Sequence, residues 1–109
     1  MLIYVDIDDT ICERSGDELE YGQATPLLEN IAKVNRMYEA GHTVVYWTAR
    51  GTLTGVDWYG VTLEQLVRWG AKHHRLEMGK PCFDLFIDDK ALNSLHHWTD
   101  ENVGMVILK

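Results

Sequence analysis

Short apolar runs bounded by polar residues recur along the chain, and these runs predict its strands. The first, at residues 2–7, is rich in β-branched side chains and ends abruptly in carboxylates, which is typical of a strand buried on both faces. Further runs predict strands at residues 43–46, 74–77, 85–87 and 104–108. The run at 85–87 again ends in carboxylates. The pattern therefore predicts a sheet of about five strands.

Apolar residues at helical spacing predict a first helix between the first two strands. The residues that share one face of this helix are Leu27, Ile31, Val34 and Tyr38. Thr25 fits the N-cap and Pro26 fits the first helical position, where the missing N–H of proline costs nothing. Gly41 follows the last periodic turn and is predicted to adopt the left-handed conformation that ends many helices.

Two later segments also predict helices. Residues 62–65, with the sequence Thr-Leu-Glu-Gln, match a capping box and open a short helix that ends at Gly70. Residues 91–98 predict another helix, and the polar stretch at 13–23 predicts a loop or small flap. Strands that alternate with helices indicate an α/β domain, in which a parallel sheet carries helices on both faces.

The composition is that of one compact domain spanning residues 1–109, because 46% of the residues are hydrophobic and 25% are charged. A formal net charge of −7 and the lack of any Lys/Arg run argue against nucleic acid or an anionic membrane as the primary partner. The first residues have neither the basic flank nor the cleavage site of a secretory signal. We therefore expect a cytoplasmic protein.

Polar side chains stand where several predicted strands end. Asp6 and Asp8 end the first strand, Thr48 follows the second, and Asp88 follows the run at 85–87. In open parallel sheets the ligand site lies outside the carboxyl ends of the strands, so these residues are expected to converge. Residues two apart at the end of a strand serve one site only if the backbone turns there, so a turn after Asp6 is also expected.

These residue types suit phosphoryl transfer. Asp6 fits a nucleophile that forms an aspartyl-phosphate, and Asp8 fits a general acid for the leaving oxygen and then a base for water. The transition state carries charge on its equatorial oxygens, so Lys80 and the hydroxyl of Thr48 are expected to hold them. Asp6 and Asp88, with the main-chain carbonyl of Asp8, form an oxygen-only site suited to Mg²⁺.

The segments that carry these residues resemble, in order, the four motifs of the haloacid-dehalogenase-like superfamily. The segment Asp6-Ile7-Asp8-Asp9-Thr10 resembles motif I, Thr48 within residues 46–50 resembles motif II, Lys80 within 79–81 resembles motif III, and Asp88-Asp89 resembles motif IV. The resemblance implies a Rossmann-like, three-layer core, dependence on Mg²⁺ and an aspartyl-phosphate intermediate. In that family the second Asp of motif I, here Asp8, is characteristic of phosphatases rather than of dehalogenases. Asp89 fits either a supporting partner of the magnesium or the N-cap of the next helix.

The chain has no room for the cap domain that many members of this superfamily carry. It resembles short capless phosphatases encoded with capsule and surface-polysaccharide biosynthesis, which makes a sugar phosphate or another small phosphorylated metabolite the leading substrate class. Without a cap, specificity falls to the flap at 13–23, to a neighbouring subunit of a homo-oligomer, or to residues beside the motifs. Those candidate substrate-binding residues are Asp9, Ala49, Arg50 and Trp58.

Other functions stay open beside this one. A nucleotide or protein phosphatase fits as well, because an open capless site can admit a larger substrate. A phospho-acceptor module of the response-regulator receiver type is disfavoured, since it needs its Asp at the mid-chain strand end where this chain has Thr48. A regulatory protein that kept the fold and lost catalysis is disfavoured because every required side chain is present.

Overall fold

The computed structural model describes residues 1–14, 21–94 and 98–109, which form a small α/β domain. In chain order its strands are β1 (Leu2–Val5), β2 (Cys12–Glu13), β3 (Thr25–Pro26), β4 (Thr43–Trp47) and β5 (Arg75–Glu77). Its helices are α1 (Leu28–Glu39), α2 (Tyr59–Arg68) and α3 (Asp100–Ile107), and a single 3₁₀ turn covers Tyr21–Gln23. Of the predicted flap at 13–23, residues 15–20 lie outside the described residues.

A parallel sheet of three strands, in the order β1-β4-β5, organises the described part of the chain. The central strand β4 is the most deeply buried: Val44, Val45 and Tyr46 have no solvent exposure. Val5 of β1 lies opposite Tyr46, and Tyr46 lies opposite Leu76 of β5. The predicted strands at 2–7, 43–46 and 74–77 are thus confirmed, with ends shifted by one or two residues.

The first helix begins later than predicted. Thr25 and Pro26 pair with β2 in a small antiparallel ladder, so they extend the chain rather than open a helix. The next residue, Leu27, donates its N–H to the carbonyl of Ile11 at 2.8 Å and then serves as an N-cap that has no capping side chain. At the other end the prediction holds, because Gly41 adopts a φ of 98° directly after the helix.

The second helix begins earlier than predicted. It starts at Tyr59, whose N–H donates to the Asp57 carboxylate at 3.0 Å, so Thr62 lies inside the helix and not at its N-cap. The hydroxyl of Thr62 accepts from the buried guanidinium of Arg50 instead. Gly70 ends the helix with a φ of 68°, as expected.

The C-terminal third departs most from the prediction. Residues 85–87 pair with no described strand, and Leu85, Phe86 and Ile87 are 75%, 55% and 87% exposed. Residues 91–94 are not helical, and the rest of that predicted helix, 95–97, lies outside the described residues. The chain leaves the sheet after Glu77, and the N–H of Lys80 then donates to the carbonyl of Thr48 at 3.0 Å.

The predicted last strand at 104–108 is a helix. Thr99 caps α3 by accepting from the N–H of Asn102 at 3.2 Å, and Asp100 and Glu101 stand in the first turn, where the helix dipole favours acids. Val103 is fully buried, and α3 packs against α1. A five-stranded sheet is therefore not confirmed. None of the helices in the described ranges is long and apolar enough to cross a membrane.

Candidate functional site

A tight turn follows β1 and brings its acidic residues together. The carbonyl of Ile7 accepts from the N–H groups of Thr10 and Ile11, at 3.1 and 2.9 Å. Asp9 adopts a φ of 63°, a left-handed conformation that Asp tolerates better than most residues. Ile7 has no solvent exposure and anchors the turn in the core. The backbone therefore turns where the sequence requires it, and Asp6 and Asp8 line the same cleft.

The cleft at this turn, called the Asp6 cleft below, has a volume of about 290 Å³ and lies at the carboxyl ends of β1 and β4. All four predicted catalytic residues line it, namely Asp6, Asp8, Thr48 and Lys80. Three of the predicted substrate-binding residues line it as well: Asp9, Ala49 and Arg50. Of the four residues that the parallel-sheet rule predicted to converge, Asp6, Asp8 and Thr48 therefore lie together, and Asp88 does not line this cleft.

Asp6 presents a partly buried carboxylate to the cleft. Its side chain is 38% exposed, and its Oδ1 lies 3.3 Å from Nζ of Lys80. The Thr10 hydroxyl donates to Oδ2 at 3.4 Å. Burial raises the pKa of the Asp6 carboxyl above its ordinary value, and the nearby Lys80 charge works against that rise. The carboxylate is therefore held by a cation in surroundings that solvate it poorly.

Lys80 and Thr48 are connected through the backbone. The N–H of Thr48 donates to the carbonyl of Glu77 at 3.1 Å, and the carbonyl of Thr48 accepts from the N–H of Lys80 at 3.0 Å. The Lys80 side chain is only 16% exposed, with its ammonium 5.7 Å from the Trp47 ring centre and 5.3 Å from that of Phe83. These contacts fix the ammonium beside Asp6.

Arg50 is enclosed by the protein. Its side chain has no solvent exposure, while that of Asp8 is 16% exposed. Nε donates to Oδ2 of Asp8 at 3.1 Å and Nη2 donates to Oδ1 at 3.0 Å, which is the two-point pairing typical of arginine and carboxylate. Nη1 donates to Thr62 Oγ1 and Gln65 Oε1, and Nη2 also reaches Sγ of Cys12 at 3.8 Å. The five N–H groups of the guanidinium all have acceptors inside the protein.

The remaining predicted residues do not join the cleft. Trp58 packs edge-on against Tyr21, with ring centres 5.0 Å apart, and does not line the cleft. Asp88 and Asp89 are exposed and outside it, with the Asp89 N–H donating to the Asp88 carboxylate at 2.9 Å. Within the described ranges, no group of three His, Cys, Asp or Glu side chains could hold a metal ion. The structure therefore brings Asp6 and Asp8 together without the other two predicted metal ligands.

Several residues of the site were not predicted. Arg14, Tyr21 and Phe83 line the cleft, and the Arg14 guanidinium lies 3.4 Å from the Asp9 carboxylate. Arg14 belongs to the polar stretch at 13–23 that predicted a flap. The presence of a cation in that stretch could have indicated Arg14 as a residue of the site. Gln65 accepts a hydrogen bond from Nη1 of Arg50 through its Oε1. Its position in an apparent capping box gave no sign of that contact.

Comparison with known proteins supports the fold and does not reach the function. No protein-family model matches the chain, and no curated protein matches it. The chain is similar to the crystal structure of an MCSG target from Vibrio cholerae, with a TM-score of 0.80 and 20% sequence identity. The alignment covers 99% of this chain and 98% of that one. A likeness at this identity shows a shared α/β fold and nothing about activity.

Proposed function

We propose that this protein is a Mg²⁺-dependent phosphomonoester hydrolase that uses Asp6 as its nucleophile. One observation carries the proposal: a carboxylate at the end of β1 opens into the Asp6 cleft with an ammonium 3.3 Å away. The Thr48 hydroxyl lines the same cleft. A nucleophile, a cation and a hydroxyl at one edge of a parallel sheet are the groups that phosphoryl transfer requires.

The chemistry begins at Asp6. A carboxylate oxygen of Asp6 attacks the phosphorus of the ester, the bond from phosphorus to the ester oxygen breaks, and an aspartyl-phosphate forms. The Asp6 side chain lines the cleft and is 38% exposed, so a substrate bound in the cleft can reach its carboxylate. Lys80 keeps the carboxylate oriented before the attack and faces the phosphate oxygens during it.

Asp8 supplies and then accepts the proton. In the free protein Asp8 is a carboxylate paired with Arg50, so it first takes up a proton from solvent. The carboxyl then gives this proton to the leaving ester oxygen, so the alcohol departs neutral and Asp8 becomes a carboxylate again. That carboxylate next takes a proton from a water molecule, whose oxygen attacks the phosphorus. The bond from Asp6 to phosphorus breaks, inorganic phosphate leaves, and Asp8 releases its proton to solvent, which returns both side chains to their starting states.

Thr48 is suited to holding the phosphate. Its Oγ1 accepts from the N–H of Arg50 at 3.1 Å, which fixes the hydroxyl and leaves its hydrogen to be donated. Thr48 is only 1% exposed and lines the cleft, so a hydrogen bond from its hydroxyl to a phosphate there would be shielded from solvent. Hydrogen bonds in such a place strengthen as charge develops on the phosphate oxygens.

The donors of the cleft fit magnesium in part. Mg²⁺ prefers oxygen ligands and commonly uses one or two carboxylates together with phosphate oxygens and waters. The Asp6 carboxylate and the main-chain carbonyl of Asp8 are donors of this kind, and we assign the ion to them. When bound, the ion would neutralise charge on the transferring phosphoryl group. Asp88 and Asp89 lie outside the cleft and are not part of this assignment.

A small phosphorylated metabolite is the substrate class that the cleft fits best. Its volume of about 290 Å³ is near the lower end of ligand sites, which suits a phosphate group with a small organic portion. Tyr21 and Phe83 give the lining aromatic surface, and Arg14 adds a cation. Aromatic rings beside polar groups suit a sugar, so a sugar phosphate is the preferred member of this class.

The proposal is tested by hydrolysis of p-nitrophenyl phosphate. The wild-type protein should turn over with Mg²⁺ and stop with EDTA, and Asp6→Asn should lose activity because an amide cannot act as the nucleophile. Glu29→Gln, at an exposed carboxylate on α1, is the matched control and should keep wild-type activity. Turnover by Asp6→Asn at the wild-type rate, or equal turnover in EDTA, would reject the proposal. A panel of sugar, polyol and nucleotide phosphates would then identify the substrate.

A further inference from the structure

The buried Arg50 guanidinium has a use that its place beside the motifs does not suggest. Its side chain is fully enclosed, and its five N–H groups are all engaged by Asp8, Thr62, Gln65 and Cys12. We propose that Arg50 is a positioning residue that holds the Asp8 carboxyl in place for proton transfer and does not bind substrate. The inference rests on the proposed function, and it replaces the expectation that Arg50 contacts the substrate.

The grip on Asp8 restrains both of its oxygens. Two parallel donors at 3.1 and 3.0 Å fix the plane of the carboxyl group as well as its position. Oδ1 also lies 3.5 Å from the Cys12 thiol, whereas Oδ2 accepts from Nε of Arg50 alone among the described residues. Oδ2 is therefore the less engaged oxygen and the better candidate to exchange a proton with the leaving group and with water.

Arg50 is itself held from three sides. Nη1 donates to Thr62 and Gln65, both on α2 and both buried. The ring of Tyr21 lies 4.9 Å from the centre of the guanidinium, and the Gln65 amide donates to the carbonyl of Tyr21 at 2.6 Å. A guanidinium fixed in this way cannot swing into the cleft without breaking several buried hydrogen bonds. This makes it suited to orienting Asp8 and unsuited to following a substrate.

A positioning residue and a substrate ligand differ in what their loss does to the kinetics. Loss of a substrate ligand raises KM and lowers kcat/KM for all substrates by a similar factor. Loss of the residue that positions a general acid matters most when the leaving group needs a proton. Phenyl phosphate and p-nitrophenyl phosphate provide that contrast, because they have nearly the same shape and nitrophenolate leaves readily as an anion.

The test compares kcat/KM of Arg50→Lys, Asp8→Asn and the double variant on the two aryl phosphates. Lys keeps the charge but cannot form the two-point pair. We expect Asp8→Asn to lose about 100-fold or more on phenyl phosphate, as removal of a general acid does. Arg50→Lys should lose at least about 10-fold on phenyl phosphate and clearly less on p-nitrophenyl phosphate, with KM nearly unchanged. The double variant should match Asp8→Asn, because Arg50 acts through Asp8.

Several outcomes would overturn the inference while leaving the proposed function standing. They are an equal loss on both substrates, a loss carried by KM, or a double variant whose losses multiply. If Arg50→Lys does not fold, Thr62→Val removes one anchor of the guanidinium from a residue that does not line the cleft. Thr62→Val should show the same preference for loss on phenyl phosphate, and an equal loss on both substrates relative to the wild type would overturn the inference. Failure of the proposed function itself would appear separately, as a wild-type protein that hydrolyses neither substrate.

Discussion

Replacement of Arg50 by Met should destabilise the fold more than any exposed substitution. Arg50→Met removes a cation of no solvent exposure and leaves the Asp8 carboxylate, 16% exposed, without its partner. Breaking a buried ion pair from one side costs about 3–5 kcal/mol, because the remaining charge is buried and uncompensated. The acceptors on Thr62 and Gln65 also lose their donors. Since a domain of this kind has about 5–15 kcal/mol of stability, the loss would be a large part of the total.

Urea denaturation followed by tryptophan fluorescence measures this loss. With a slope of about 1.5 kcal/mol per molar urea, a loss of 3–5 kcal/mol lowers the midpoint by about 2–3 M. Arg68→Met is the matched control, since the Arg68–Glu64 pair has a similar distance of 3.2 Å but side chains that are 55% and 71% exposed. Exposed pairs contribute about 0–1 kcal/mol, so this variant should stay near the wild-type midpoint.

A second variant isolates the charge of Asp8 as the cause. Adding Asp8→Asn to Arg50→Met removes the uncompensated carboxylate, so the double variant should be more stable than Arg50→Met alone by at least about 1 kcal/mol. If Arg50→Met shifted the urea midpoint no further than Arg68→Met, the buried ion pair would contribute no more to stability than the exposed one. If the double variant were less stable than Arg50→Met alone, the Asp8 carboxylate would not be the cause of the loss.

Three further predictions concern the backbone at Gly51 and the two thiols. Gly51→Ala should unfold at least about 10 °C below the wild type in a thermal melt, because a Cβ there would lie 2.1 Å from the Val56 carbonyl oxygen. Gly55→Ala, with a similar φ of 75° and open space, should fall by less, and equal shifts would contradict the steric argument. A thiol reagent should modify the exposed Cys82 of the native protein and spare the buried Cys12, whose pKa is raised to about 12 by burial; fast reaction of both would contradict this. The Cys12 thiol loses its proton near pH 9 in the unfolded chain but only near pH 12 in the folded protein. The stability that depends on the protonated thiol is therefore fully present below about pH 9 and is lost as the pH rises toward about 12. Cys12→Ser removes this thiol, so its free energy of unfolding, measured by urea titration, should fall less over that pH range than that of the wild type.

The sequence predicts the centre of the site well because short-range patterns define it. Asp6 and Thr48 directly follow strands whose apolar runs are unmistakable, and a parallel sheet brings such strand ends to one edge. Lys80 was predicted from the charge that phosphoryl transfer requires and from its motif, and the structure places it just beyond β5, with its N–H bonded to the carbonyl of Thr48. The turn that Asp6 and Asp8 require is also present, with Asp9 in the left-handed region.

The prediction of secondary structure is wrong where the same residues fit both a strand and a helix. Val103, Val106 and Ile107 satisfy a short apolar run as well as helical spacing, so the strand predicted at 104–108 competes with a helix. The N-cap Thr99 was the deciding signal. The run at 85–87 is apolar enough for a strand, but the structure leaves it exposed and stacks Phe83 on Phe86, with ring centres 5.3 Å apart.

Burial of a polar residue cannot be read from its own segment. Arg50 follows a motif at the edge of the cleft, which suggests a residue that faces substrate. The enclosure of Arg50 depends on Thr62 and Gln65, which belong to α2 and were interpreted as part of a capping box. Only the tertiary structure shows that these two residues, together with Asp8 and Cys12, occupy all the donors of the guanidinium.

Detection of a phosphoryl group on Asp6 would identify this residue as the nucleophile. The protein is mixed with p-nitrophenyl phosphate and Mg²⁺, quenched in acid and digested, and the modified peptide is identified by mass spectrometry. Asp8→Asn is included because slower attack by water should let the intermediate accumulate. We expect one phosphoryl group on Asp6 in the wild type and in Asp8→Asn, and none in Asp6→Asn. A phosphoryl group on another residue, or turnover by the wild type with none on Asp6 in either protein, would contradict this assignment.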